Sequence, residues 1–212
     1  MSFPSFTRTM AAAASAAVLA LCASPVLADT YTGLYVFGDS LSDDHNLFAL
    51  SSQTVPDPVL YPSNGRFSNG PVAVEYLATN LGLNNPAQFH DMAIAGAETG
   101  MGGSAGFGTG MQAQVTGYTN FLSSHSLSAE SSALYVVWGG ANDLLHAPFS
   151  DLMNPSTRAA LIEGTITNLV TEVQTLYGAG ARSFLLPLLP DLGKTPRVLG
   201  LDASLSAGGT VA

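Results

Sequence analysis

The chain has 212 residues, 47% of them hydrophobic and only 10% charged, with a formal net charge of −9. A chain so acidic repels polyanions, which excludes nucleic acid or an anionic membrane surface as a tight partner. With one cysteine, Cys22, it can build neither an internal disulfide framework nor a thiolate metal site, so catalysis is left to oxygen and nitrogen groups.

Residues 1–28 carry Arg8, an apolar stretch from Met10 to Leu21 and the small-residue ending SPVLADT, the pattern of a secretory signal peptide cut after Ala28. Lipidation at Cys22 competes with that reading, but Leu21 immediately before the cysteine fits a lipidation site poorly. Cleavage would leave residues 29–212 as one domain, secreted or periplasmic. The apolar stretch is too short to span a bilayer and nothing later approaches one, so stable membrane insertion is not expected.

Four apolar runs have the length and the β-branched or aromatic content of buried strands: Leu34 to Phe37, Phe89 to Ala95, Ala133 to Trp138 and Phe184 to Leu189. None alternates cleanly, which predicts that both faces of the sheet are covered. Helices are predicted over Pro71 to Leu81, Met111 to Leu122 and Ser156 to Tyr177. The last has apolar residues at Leu161, Ile162, Ile166, Leu169, Val170, Val173 and Leu176 and ends at a glycine suited to a left-handed cap. Strand alternating with helix predicts an α/β fold, a parallel sheet between two helical layers. Residues 55–70 and the Gly-rich stretch 100–110 read as loops.

In such a sheet the ligand site lies beyond the carboxyl ends of the strands. After the first strand, Gly38-Asp39-Ser40-Leu41 places Ser40 at the opening of a helix or helix-like turn. There it reads equally as a helix N-cap or as a nucleophile whose own N–H points at a bound anion. After the second strand, Gly96 leaves a backbone N–H open to close approach. After the third, Asn142 offers a side-chain amide, with turn formation by Asn142-Asp143 as the alternative. In a 2-1-3 strand order the ends carrying Gly96 and Asn142 flank the end carrying Ser40. A hydroxyl and three donors meeting there are the parts needed to hold the oxyanion of acyl transfer.

The stretches VFGDSLSDDHNLF, GRFSNGPVAVEYLA, AIAGAETG and VVWGGANDLL resemble the successive blocks of the GDSL, or SGNH, family of serine esterases and lipases. The resemblance implies a flavodoxin-like three-layer α/β/α sandwich, hydrolysis of carboxylic esters of lipids or sugars, Ser40 as nucleophile, and Gly96 and Asn142 completing the oxyanion hole. It implies no cofactor and no metal. Asp39 and Asp43 would shape the turn, with Asn46 in the same block. His45 departs from the family, whose members usually have glycine there.

In this family the general base and its carboxylate come from one Asp-x-x-His motif after the fifth strand. The sequence given reaches LGLDASLSAGGTVA without it, so the last strand and helix, and the base, are expected to lie outside these residues and the chain alone is expected to be nearly inactive. Among the four histidines, His146 has Asp143 at the right spacing but the wrong place in the chain. His45, five residues past Ser40, would be turned about 140° away on a helix. His90 and His125 read as solvated or partly packed. A non-catalytic acyl- or glycan-binding module of the same fold is the alternative function. An α/β-hydrolase elbow would need glycine where Ser42 stands, and the run Asp39, Asp43, Asp44 lacks the spacing of a calcium loop.

Overall fold

A computed structural model describes residues 31–200. The expected leader at residues 1–28 lies outside the described residues.

The first strand, β1 (Leu34–Gly38), is central. It pairs in parallel with β2 (Phe89–Asp91) on one side and β3 (Leu134–Trp138) on the other, and β3 pairs in parallel with β4 (Ser183–Leu185). The order β2-β1-β3-β4 contains the expected 2-1-3 arrangement, with β4 added beside β3. Both partners of β1 are thereby fixed with their carboxyl ends at one rim. Two strands, β2 and β4, stop several residues short of the ends of their apolar runs. Beyond Asp91 the chain leaves regular strand geometry yet stays on β1, with the Met92 N–H donating to the Val36 carbonyl at 2.9 Å and the Ile94 N–H to that of Gly38 at 3.1 Å.

Six helices join these strands among the described residues: α1 (Asn46–Leu50), α2 (Ala73–Leu81), α3 (Met111–Ser124), α4 (Ala141–Leu145), α5 (Phe149–Met153) and α6 (Pro155–Ala179). Sequence periodicity missed α1, α4 and α5 because five residues are too few to show a 3.6-residue repeat. The start of α6 is encoded plainly: Pro155 occupies the first turn, and the Asn154 side chain accepts from the N–H groups of Ser156 and Thr157 at 3.0 and 3.2 Å.

The unclean alternation of the strands has its cause in two cores. Leu34, Val36, Leu134 and Val136 face one way, against Val74 and Ala78 of α2. Phe37, Tyr135 and Val137 face the other, against Met111, Val115 and Leu122 of α3 and Leu176 of α6. The central strands β1 and β3 are covered on both faces by helical layers, so both of their pleat positions are apolar, while β2 and β4 stay partly exposed. Among the described residues no helix is long and apolar enough to cross a membrane.

Candidate active site

Gly38 closes β1 between fixed partners. The buried Gln114 side chain of α3 accepts from its N–H and donates to its carbonyl, both at 2.9 Å. A Cβ here would lie 2.7 Å from the Trp138 carbonyl, so the strand can end this close to β3 only with glycine.

The chain then turns. The N–H groups of Ser42 and Asp43 donate to the Asp39 carbonyl at 3.0 and 2.9 Å, and the Leu41 N–H donates to Asp39 Oδ1 at 3.0 Å. Ser40 sits within this helix-like turn, half-buried, while the next helix, α1, starts only at Asn46. The N-cap reading of Ser40 therefore fails: it precedes no regular helix and caps none.

Asp43 is the hub. Its Oδ1 accepts from the N–H groups of His45 and Asn46, and its Oδ2 from Leu47 at 3.1 Å and, across to the second strand's extension, from Ala95 at 2.7 Å. Four backbone donors converge on one buried carboxylate, and the last fixes the residue before Gly96 beside the turn that carries Ser40. Gly96 has φ +80°, and a Cβ would stand 1.9 Å from Ser104 Oγ. Its carbonyl accepts from the Ser104 N–H at 3.0 Å. Among the described residues no protein acceptor takes the N–H of Ser40 or that of Gly96.

From β3, α4 reaches over to the same segment. The Asn142 amide donates to the Ala97 carbonyl at 2.8 Å, and Asp143 accepts from the Thr99 N–H at 3.0 Å and the Thr99 hydroxyl at 2.6 Å. Asn142 and Asp143 thus do more than form a turn: they tie the third strand end to the second. Asn168 of α6 donates to Thr99 Oγ1 at 3.1 Å, adding the long helix to the same network. Gly96 and Asn142 each stand within one residue of a bond that joins two strand ends. Ser40 lies between Gly38, whose carbonyl accepts from the Ile94 N–H, and Asp43, whose carboxylate accepts from the Ala95 N–H.

The histidines fall out differently from their spacing. His146 does not take Asp143, which is occupied by Thr99. Its Nδ1 lies 2.9 Å from Glu98 Oε1 instead, a pairing across two loops that sequence spacing could not show. His45 precedes α1 rather than riding on it, and its Nδ1 lies 2.7 Å from Asp44 Oδ1. His90 stacks on Tyr35 with ring centroids 4.7 Å apart, and His125 ends α3 with Nδ1 2.8 Å from the Phe121 carbonyl. Gln114, Thr99 and the Glu98–His146 pair are the parts of this rim that sequence reasoning missed. For Gln114 a signal existed, since it falls between Met111 and Val115 on the inward stripe of α3.

Burial shapes the charges. Asp39 is 1% exposed and its Oδ2 has no hydrogen-bond partner. Desolvation pushes its carboxyl up to about 6, against the Leu41 N–H that favours the charged form, with the charge of Asp143 adding to the rise. Among the described residues no group of three or more His, Cys, Asp or Glu side chains is arranged to hold a metal ion.

Residues 34–208 match the family described as GDSL-like Lipase/Acylhydrolase, and the chain belongs to that family. It is 31% identical over 91% of its length to "Lipase 1" of Photorhabdus luminescens, covering 27% of that protein. It is 28% identical over 78% of its length to "Phosphatidylcholine-sterol acyltransferase" of Aeromonas hydrophila, covering 47% of it. With "Inactive GDSL esterase/lipase-like protein 25" of Arabidopsis thaliana it shares 29% identity over 78% of its length, and 43% of that protein is covered. The chain thus spans between about a quarter and a half of the relatives it matches. The four-stranded all-parallel sheet with its helices is consistent with the α/β fold of that family.

Proposed function

We propose that this protein is an extracytoplasmic serine hydrolase of carboxylic esters. Ser40 Oγ attacks the acyl carbonyl. The N–H groups of Ser40 and Gly96 and the second amide hydrogen of Asn142 receive the oxyanion, and the alcohol leaves as the acyl-enzyme forms. One observation carries this reading: two backbone N–H groups that find no acceptor among the described residues stand at the rim where Asn142 is also held, on segments cross-linked through Asp43 and Ala97. Fixed donors stabilise the charge without reorganising when it appears, and loss of one costs about 10² to 10³ in rate.

The serine proton needs a base. No Asp-x-x-His follows β4 within the 212 residues, and loss of a triad histidine can lower turnover about 10⁶-fold. A polypeptide of residues 1–212 alone is therefore expected to cleave p-nitrophenyl acetate no faster than its Ser40→Ala variant, and added imidazole is expected to restore turnover in the parent but not in Ser40→Ala. Equal imidazole-dependent rates in the two would overturn the assignment of Ser40 and favour the non-catalytic acyl- or glycan-binding module. Turnover without imidazole that disappears in both Ser40→Ala and His146→Ala would assign the base to the Glu98–His146 pair.

A further inference from the structure

The loop after β2 is built around an exposed aromatic ring. Phe107 is 85% exposed and lies between Gly106 and Gly108, at φ +110° and +89°. Both glycines adopt the left-handed backbone that a side chain would strain. The loop does not owe this shape to looseness. The Gly106 N–H donates to the Gly103 carbonyl at 2.9 Å, the Gly108 N–H to that of Met101 at 2.8 Å, and the Thr109 hydroxyl to that of Gly106 at 2.7 Å. Ala97 and Gly103 form an antiparallel bridge at its base. The turn holds the ring outward, where no core packing rewards it.

Facing this loop across a cleft of about 450 Å³, lined by Leu47, Leu50, Val55, Ser104, Ala105 and others, is the chain leaving α1. It too exposes apolar side chains: Leu50 at 65% and, farther along, Val59 at 85% and Leu60 at 72%. Residues 100–110 contain no charged side chain, and residues 50–60 contain only Asp57. Apolar side chains displayed this way on two loops flanking a cleft mark a surface that meets another apolar phase. Ser104, which lines the cleft, is also the residue bonded to Gly96.

We infer that the loops 50–60 and 104–109 form a docking surface for a neutral or zwitterionic lipid interface, and that the cleft between them receives an acyl chain drawn from it. This rests on the ester-hydrolase reading, since it makes lipid esters the substrate class. An aromatic ring and branched aliphatics insert at the boundary between headgroups and acyl chains. Without lysine or arginine in either loop, and with a net charge of −9, nothing draws the surface toward anionic headgroups. The cleft-lining Ser104 donates its N–H to the carbonyl of Gly96, the candidate oxyanion donor, which links the cleft to the proposed site.

The test is co-sedimentation of the full chain with phosphatidylcholine vesicles, and with vesicles containing about 30% phosphatidylglycerol. Each variant is run beside the parent, so that any contribution from residues 1–30 is common to all. Phe107→Ser and the pair Val59→Asp with Leu60→Asp are each expected to weaken binding to phosphatidylcholine about tenfold, the order of effect for removing one large apolar side chain from an interface. Phe121→Ser, on α3, is expected to leave binding unchanged. Phe107 packs into no core, and an unchanged melting curve for Phe107→Ser will show that the loss is local. Binding that is absent, unmoved by the loop variants or tighter on the anionic vesicles would overturn the inference. Imidazole-rescued, Ser40-dependent turnover of the water-soluble p-nitrophenyl acetate reads the catalytic assignment separately, so either reading can fail while the other stands.

Discussion

Asp43 and Glu172 are both buried carboxylates, one in the turn after β1 and one on α6, and their surroundings differ completely. Asp43 gathers four backbone N–H donors. Glu172 is 1% exposed and neither of its oxygens has a partner. Burial pushes the Glu172 carboxyl up to about 8, and the negative charge of Asp143 adds to the rise. A satisfied acid fixes the backbone around it and belongs to the machinery. An unsatisfied one is kept neutral by its surroundings and weakens the fold as pH rises. The turn after β1 is thus pinned by one acid whose bonds are complete, while Glu172 on α6 and Asp39 beside Ser40 keep oxygens whose bonds are not.

The sharpest way to break this comparison is Asp43→Ala. It strands donors that had a charged acceptor, and a loss of about 4 kcal/mol in urea unfolding is expected. A loss below about 1 kcal/mol would show that the hub is dispensable. Next in size is Gly96→Ala, expected to cost about 2 kcal/mol from a strained left-handed backbone and the collision with Ser104 Oγ. Adding Ser104→Gly should return the part due to the collision and leave the part due to backbone strain.

The smallest effect is Glu172→Met, and it has the opposite sign. In the unfolded chain this carboxyl ionises in the usual range near 4.3. The folded state, with its raised value, holds the proton longer. The stability associated with Glu172 is therefore fully present below the unfolded value and is lost as pH rises toward about 8. Replacing the acid by an apolar side chain of similar length should raise Tm, by about 2 to 4 °C at pH 8 and by less at pH 4.5. A gain independent of pH would mean that packing rather than ionisation decides this position.

Much of the fold was legible in the sequence because it is written in long signals. The strands, the long helices and the glycine cap of α6 follow from apolar runs and periodicity. That Ser40, Gly96 and Asn142 follow the strands β1, β2 and β3 was legible, and strand ends are where a parallel sheet keeps its site, which is why they are the proposed site residues. What could not be read is bonding between distant segments. Asp143 was free to pair with His146 on spacing alone, and only the fold shows that Thr99 takes it and that Glu98 takes the histidine. Glu172 had a trace: it shares the inward stripe of α6 with Thr165, Leu169 and Leu176, where an acid is out of place.

The bridge from Ala97 to Gly103 and the bond from the Ser104 N–H to the Gly96 carbonyl bear on any attempt to recode the protein by loop exchange. The segment that displays Phe107 is stitched to the strand end it grows from, so a graft of residues 100–110 alone would import a foreign partner for that carbonyl. The natural cassette runs from Gly96 to the start of α3, and transplanting it whole would carry the displayed ring and its anchoring together.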